Sequence, residues 1–240
     1  MLELVLVASA TTLATGLGVI PVAVLGERAA ELRGGLLGLA AGVMLVAAVA
    51  GLLLPALDEG TDGEVAIGLA AGVAFLLVAR TAIDEAPPGA ITAGDRTWVL
   101  VFLVLFVHSL PEGFAIGTAY ASATAGLGLF IVVAIAVQNI PEGTSTAIPM
   151  ATAGYGFRAQ FWAAVLTSVP QPVGAVVAYL LVEQITALLP VSFAFAAGAM
   201  LALVVVSVFP DAWRERRRDA LAGAAAGGAL MVALSAVLGV

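Results

Sequence analysis

The chain has 240 residues, of which 62% are hydrophobic and 10% are charged, and its formal net charge is −7. A soluble domain carries about 25% charged residues, so this chain lacks the polar groups needed to cover a globular surface. The composition therefore predicts an integral membrane protein, and the absence of cysteine excludes disulfides and thiolate metal sites.

Apolar runs of about 20 residues predict eight membrane-spanning helices in a single transmembrane domain. The first run lacks the basic segment of a secretory signal, so it is predicted to be a true span. Glycine, proline and charged residues close each run, and the loops between the runs are short. The predicted spans 1 to 8 cover residues 2–25, 35–57, 64–83, 98–120, 126–150, 158–182, 190–210 and 219–240.

The basic residues give the predicted orientation. All nine are arginines, and with eight spans they fall in or beside the loops 1–2, 3–4, 5–6 and 7–8, which share one side of the membrane. Cytoplasmic loops carry an excess of basic residues, so these loops are predicted to be cytoplasmic and both termini to lie outside. The arginines concerned are Arg28, Arg33, Arg80, Arg96, Arg158, Arg214, Arg216, Arg217 and Arg218.

Three ionisable side chains are predicted to lie at membrane depth: His108 and Glu112 in span 4, and Glu142 in span 5. A charge at the bilayer centre costs several kcal/mol without partners, and such residues usually mark a transport path. The alternative is a buried hydrogen-bonded cluster that holds helices together. His108 is the single histidine of the chain, and Asp211 and Glu183 lie at helix ends, where water reaches them.

Spans 4 and 5 carry a repeated motif, "HSLPEG" at 108–113 and "QNIPEG" at 138–143. The spacing of four residues places His108 and Glu112 on one helix face, and Gln138 and Glu142 on one face of the next span. If these faces meet, one imidazole, one amide and two carboxylates converge.

The prolines and glycines of the two motifs have mechanical roles. Pro111 and Pro141 lack an N–H and are predicted to kink their helices at the site, which is tolerated beside protein or a hydrated cavity. The glycines that end the motifs permit close helix packing. Broken helices with polar inner faces are common at the midplane sites of transporters.

The side chains at this predicted site suit a divalent first-row metal. Imidazole, carboxylate and amide oxygen are predicted to bind zinc. Because only one of these groups offers a nitrogen, the site could also bind Mn²⁺, Fe²⁺ or Cd²⁺. The metal is predicted to be the substrate, with no organic cofactor and no nucleic acid partner.

The chain resembles the ZIP (Zrt/Irt-like) family of divalent metal transporters. "HSLPEGFAIG" and "QNIPEG" resemble its paired signatures, and the segments 39–60 and 195–212 resemble its spans 2 and 7 and each other. The resemblance implies a 3+2+3 arrangement, with spans 1–3 and 6–8 as related halves. It also implies metal import by an elevator motion, in which spans 1, 4, 5 and 6 move against a scaffold of spans 2, 3, 7 and 8.

The resemblance also implies site residues. One metal site would comprise His108, Glu112, Gln138 and Glu142. A second would use Ser109, Asn139 and Gln171, with Glu142 as the bridge between the sites. Ser109 and Gln171 stand where the family usually has asparagine and glutamate, so this second site is expected to be weak or absent. The loop between spans 3 and 4 is short and lacks histidine, which argues against a metal-sensing loop, and a homodimer is compatible with the sequence.

Two other functions stay open at this stage. An intramembrane metal-dependent hydrolase would use His108, Glu112 and Glu142 as zinc ligands, but no HExxH motif and no further carboxylate is available as a general base. The other alternative is a channel without a metal-specific site, or a transporter of a different substrate.

Overall fold

The computed structural model describes residues 1–84 and 96–240, and within these ranges the chain is helical with no β-strand. Eight helical segments are long and apolar enough to cross a membrane, which confirms the predicted number of spans. The predicted short, histidine-free loop between spans 3 and 4 lies almost wholly outside the described residues. Spans 1 to 8 are Leu2–Leu25, Ala29–Glu59, Asp62–Ile83, Thr97–Ala121, Leu127–Thr152, Phe157–Gln184, Thr186–Glu215 and Arg217–Leu238.

Spans 2 and 7 are longer than predicted. The sequence placed Arg33 in a loop, whereas the helix of span 2 begins at Ala29 and already contains it. Span 7 likewise continues as a helix to Glu215. Charged side chains end an apolar run but are good helix formers, so the helices extend past it. A salt bridge of 2.5 Å between Arg33 Nη1 and Glu215 Oε1 joins the two extensions.

Four spans have an irregular backbone. Spans 1 and 6 are each divided into two helices, and spans 2 and 7 each contain one π-helical turn. Spans 3, 4, 5 and 8 are single α-helices. The segments are α1 Leu2–Leu17, α2 Val19–Leu25, a 3₁₀ turn Gly26–Arg28, α3 Ala29–Ala48, a π turn Val49–Leu53, α4 Leu54–Glu59, α5 Asp62–Asp84, α6 Arg96–Ala121, α7 Leu127–Thr152, α8 Phe157–Thr167, α9 Pro170–Gln184, a 3₁₀ turn Thr186–Leu188, α10 Leu189–Leu203, a π turn Val204–Val208, α11 Phe209–Glu215 and α12 Arg217–Leu238.

The interrupted helices are not those that carry the repeated motif. α6 and α7 run through Pro111 and Pro141 without a break, and a bend at either proline stays a prediction. The breaks fall instead at Gly18 in span 1 and at Ser168–Val169 in span 6. Pro21 removes the hydrogen bond to the carbonyl four residues earlier, and Pro170 opens α9 at a helix start, where no N–H is needed.

Each π turn directly precedes a proline-containing helical turn. Pro55 follows the π turn of span 2, and Pro210 follows that of span 7. A proline ring clashes with the carbonyl four residues back, and a wider turn before the ring relieves that clash.

Spans 2 and 8, 3 and 7, 4 and 6, and 1 and 5 form four closely packed pairs. Each pair contains a glycine whose backbone touches the partner span. A Cβ atom added to these glycines would lie 1.8–2.2 Å from a carbonyl oxygen of the partner. Small residues permit this approach, and the chain uses them to hold membrane helices together. The glycines are Gly42, Gly72, Gly113 and Gly143.

The first prediction concerns the pairing of spans 2 and 8. A Cβ atom at Gly42 would lie 2.1 Å from the carbonyl oxygen of Ala224, so Gly42→Ala should destabilise the protein by about 1–3 kcal/mol through overpacking. Thermal unfolding in detergent measures the change. Gly35→Ala is the matched control, because the nearest atom of span 8 would lie 3.8 Å away. A Gly42→Ala protein as stable as Gly35→Ala would contradict this account.

Candidate functional site

The repeated motifs of spans 4 and 5 meet at the carboxyl group of Glu112, which is fully buried. Gln138 donates from Nε2 to Glu112 Oε1 at 2.6 Å, and Gln171 of span 6 donates from Nε2 to Glu112 Oε2 at 2.7 Å. The carboxyl group of Glu142 lies within hydrogen-bonding reach of Glu112. The structure therefore brings together two carboxyl groups and two amides from three spans.

The glycine of each motif explains this convergence. Gly113 follows Glu112, and a Cβ atom there would lie 2.2 Å from the carbonyl oxygen of Gln171. Gly143 follows Glu142, and a Cβ atom there would lie 1.8 Å from the carbonyl oxygen of Thr15. The first glycine thus brings span 6 against span 4, and the second brings span 1 against span 5.

Asn139 and Gln171, two of the three residues expected at the second site, form a reciprocal amide pair. Asn139 Nδ2 donates to Gln171 Oε1, and Gln171 Nε2 donates to Asn139 Oδ1, both at 3.2 Å. Ser109, the third residue, donates to the carbonyl of Leu105 in its own helix at 3.0 Å. The structure thus brings together the two amides of the expected second site, whereas the hydroxyl of Ser109 bonds within its own helix.

Sequence reasoning missed Thr11 of span 1. Its hydroxyl donates to Gln171 Oε1 at 2.9 Å, and its backbone carbonyl accepts from Asn139 Nδ2 at 2.7 Å. Thr12 and Thr15 lie on the same span and bond to Ser168, at 3.0 Å and 2.7 Å. Three threonines within five residues of an apolar run form a polar stripe. This clustering was the feature of the sequence that could have pointed to Thr11.

Three of the four predicted metal ligands each have a buried atom that lacks a hydrogen-bond partner within the described part of the chain: His108 Nδ1, Gln138 Oε1 and Glu142 Oε1. A buried polar atom without a partner costs about 1–3 kcal/mol. No three His, Cys, Asp or Glu side chains among the described residues are placed to hold a metal ion, although His108 and Glu142 line the same cavity.

A cavity of about 210 Å³ leads to this region from the arginine-bearing side of the membrane. The polar residues at its walls come from spans 2, 3, 4, 5 and 7. His108, Glu142 and Ser145 belong to the two motif-bearing spans, and two arginines and an aspartate lie nearer the loops. The polar wall comprises Arg33, Arg80, His108, Glu142, Ser145 and Asp211, together with Ser207.

A larger cavity of about 660 Å³ lies between spans 1, 2, 5 and 6. The residues that line it are apolar or neutral, including Ala30, Ile148, Phe157 and Gln160. Without carboxylate or imidazole groups, this cavity does not offer the chemistry of the smaller one.

Eight apolar spans around a buried group of carboxyl, amide and imidazole side chains define a multi-pass membrane protein with a polar intramembrane site. A family model described as the ZIP zinc transporter matches residues 84–235, which is more than half of the chain. The chain belongs to this family.

The relatives extend the match over nearly the whole chain. The zinc transporter GufA of Myxococcus xanthus is 34% identical over 241 residues, which cover 94% of this chain and 95% of the relative. The zinc transporter ZIPB of Bordetella bronchiseptica is 34% identical over 242 residues, 94% of this chain and 78% of the relative. A putative zinc transporter of Arabidopsis thaliana is 35% identical over 218 residues, but the match spans only 35% of its length.

The second prediction tests access to the cavity. Because the chain has no cysteine, Ser145→Cys introduces a single thiol at the cavity wall. A membrane-impermeant thiol reagent should label this cysteine from the arginine-bearing side, since the cavity reaches it from there. Ser109→Cys is the control, because Ser109 is also buried but does not line the cavity. Labelling in sealed vesicles of each orientation gives the result, and equal labelling of both variants would contradict this access path.

Proposed function

We propose that the chain transports divalent metal cations, with zinc as the leading substrate, into the cytoplasm. The observation that carries this proposal is the set of unpartnered buried atoms His108 Nδ1, Gln138 Oε1 and Glu142 Oε1. One nitrogen and two oxygens of these types are zinc ligands, and they also suit Mn²⁺, Fe²⁺ and Cd²⁺. Relatives named as zinc transporters favour this function over a hydrolase or a channel.

The proposed metal site comprises His108, Glu112, Gln138 and Glu142. Glu112 and Glu142 are buried and close together, and two carboxylates in such a place repel each other unless a proton or a cation lies between them. A divalent cation would neutralise both. His108, which lines the same cavity as Glu142, and the amide oxygen of Gln138, turned towards the metal, would complete the site.

The proposed orientation places both termini outside and the arginine-bearing loops in the cytoplasm. The cavity lined by His108, Glu142 and Ser145 then opens towards the cytoplasm. On the other side of Glu112, the buried residues Ala115, Ile116 and Ala119 belong to the apolar core. The described conformation is accordingly one that releases the cation inward.

We further propose a division into a transport part of spans 1, 4, 5 and 6 and a scaffold of spans 2, 3, 7 and 8, which move against each other as an elevator. The four glycine-mediated pairs, 2 with 8, 3 with 7, 4 with 6 and 1 with 5, support this division, because each pair lies within one part. The hydrogen bonds of Glu112, Asn139 and Gln171 connect spans 1, 4, 5 and 6. The salt bridge between Arg33 and Glu215 connects spans 2 and 7.

The irregular segments support the proposed 3+2+3 arrangement with related halves. The broken spans 1 and 6 are the first spans of the two halves, and the spans with π turns, 2 and 7, are the second. Both π turns precede a proline. The same irregularities at corresponding positions are expected if the halves share an ancestor, as in other transporters built from repeats.

The third prediction tests the proposed site. Glu142→Gln should reduce zinc uptake into proteoliposomes by at least about 100-fold. Mutation of residues that only hydrogen-bond to a metal ligand already lowers metal affinity or activity about 10- to 100-fold, and Glu142 is proposed to be a charged ligand itself. His108→Ala should raise the KM for zinc, because it removes the sole nitrogen ligand. Uptake of Zn²⁺, Cd²⁺, Mn²⁺ and Fe²⁺ down a gradient measures both effects.

Glu183→Gln is the matched control for this experiment, because Glu183 is exposed at the end of span 6 and loses the same charge. Its uptake should equal that of the unmodified protein. If the unmodified protein moved none of the four cations, the transport proposal would be wrong, and if Glu142→Gln transported normally, the proposed site would be wrong.

The fourth prediction tests the elevator motion. Thr118 Oγ1 of span 4 and Ser192 Oγ of span 7 form a hydrogen bond of 2.5 Å across the division between the two parts. A disulfide in the double variant Thr118→Cys, Ser192→Cys should arrest zinc uptake, and reduction should restore it. Uptake before and after a reducing agent measures this directly in a chain without other cysteines.

A second double variant, Thr15→Cys with Ser168→Cys, is the control. Their hydroxyl oxygens lie 2.7 Å apart, but spans 1 and 6 both belong to the proposed transport part. Uptake by this variant should not respond to reduction. Arrest of transport by both disulfides, or by neither, would contradict the proposed division.

A further inference from the structure

We propose that the side-chain amide of Gln171 takes the place of a second cation and positions Glu112, so that the chain carries a single divalent cation in each cycle. This inference rests on the proposed function. It makes Gln171 a positioning residue that acts through Glu112, rather than a ligand of the transported ion.

Hydrogen bonds occupy every donor and every acceptor position of the Gln171 side-chain amide. Nε2 donates to Glu112 Oε2 and to Asn139 Oδ1, and Oε1 accepts from Thr11 Oγ1 and from Asn139 Nδ2. A side-chain amide has two N–H donors and two lone pairs on its oxygen, so none is left to bind a cation. Gln171 is fully buried, and its three partners lie on spans 1, 4 and 5.

The amide therefore does what a bridging ion would do. It lies where four spans meet and holds a side chain from each of the other three. A metal ion links helices by coordinating their oxygens, whereas this amide links them by donating and accepting hydrogen bonds. It does so without adding charge to the interior of the membrane.

The charge balance at the site favours a single cation. The carboxyl groups at hand are those of Glu112 and Glu142, and the neighbouring Asn139 and Gln171 are neutral. One divalent cation balances two carboxylates. A second would leave two uncompensated positive charges at membrane depth, and each such charge costs several kcal/mol there.

The geometry also assigns different roles to the two oxygens of Glu112. Oε1 is held by Gln138, a proposed ligand that must turn its amide oxygen towards the metal and so release this carboxylate oxygen. Oε2 is held by Gln171, which keeps its partners on spans 1 and 5. Glu112 should thus bind the cation through Oε1 while Gln171 fixes the orientation of the carboxylate.

The experiment compares the number of zinc ions bound per chain in purified protein. Equilibrium dialysis with Zn²⁺, followed by elemental analysis, should give a single ion for the unmodified chain. Gln171→Glu adds a third carboxylate next to Glu112 and Asn139, so it should bind a second ion. Gln160→Glu is the matched control: Gln160 is also buried on span 6 and donates to the carbonyl of Tyr155, away from the site, and this variant should stay at a single ion.

A second variant separates positioning from folding. Gln171→Leu removes the hydrogen bonds at similar volume, so it should still bind a single ion but with an affinity lower on the order of 10- to 100-fold. A purely structural role would lower thermal stability without changing zinc affinity in the fraction that stays folded. This measurement remains decisive if Gln171→Glu fails to fold.

The outcomes distinguish this inference from the proposed function. Two ions bound per unmodified chain, a Gln171→Glu protein that stays at one, or unchanged affinity in Gln171→Leu would each overturn the inference, and zinc uptake by the unmodified protein would still support transport. If the unmodified protein neither bound nor moved zinc, the proposed function itself would fail.

Discussion

The arrangement around the site depends on one buried carboxyl group. Glu112 is fully buried, and both of its oxygens accept from amides on neighbouring spans, Gln138 and Gln171. Hydrogen bonds to a charged group contribute about 1.5–3 kcal/mol each, and a carboxylate left without them at membrane depth would be strongly unfavourable. Spans 5 and 6 must therefore lie close to span 4, and Gly113 provides the space for span 6 to do so.

Each copy of the repeated motif places a carboxyl group next to a glycine that lets another span pack closely. In each copy a glutamate is followed directly by a glycine that contacts the backbone of another span, so the carboxyl group and its packing surface are one residue apart. Glu112 is thereby tied to span 6, and Glu142 lies where span 1 meets span 5. The motif thus supplies two packing points that bring four spans around one polar centre.

Sequence reasoning was sufficient for the spans and for part of this centre. Apolar runs predicted all eight helices, and the repeat predicted that Glu112, Gln138 and Glu142 converge. It could not place Thr11, because a threonine in an apolar helix satisfies its hydroxyl within its own helix as readily as across an interface. It also did not anticipate the breaks at Gly18 in span 1 and at Ser168–Val169 in span 6, while α6 and α7 continue through Pro111 and Pro141, since a proline is tolerated inside a membrane helix when neighbouring groups satisfy the freed carbonyl.

At each of the two breaks, a side chain of a neighbouring span donates a hydrogen bond to a backbone carbonyl. Thr12 of span 1 donates to the carbonyl of Ser168 at the break in span 6, and Thr144 of span 5 donates to the carbonyl of Gly18 at the break in span 1. Arg80 of span 3 donates to Val206 in the π turn of span 7. An irregular backbone survives in a bilayer where protein groups replace water as partners.

These three contacts also have a mechanical consequence. The first two join spans 1, 5 and 6, and the third joins spans 3 and 7, so these three irregular segments are each tied to a span on their own side of the proposed division. A break that drew its partner from the opposite part would lose that partner in every cycle and leave a carbonyl unsatisfied in lipid. With the partners arranged as they are, an elevator motion would keep these three hydrogen bonds, and it would break the hydroxyl pair of Thr118 and Ser192 and exchange apolar contacts of the core. Exchanging one apolar contact for another at such a surface costs little, which is the condition for two rigid parts to slide.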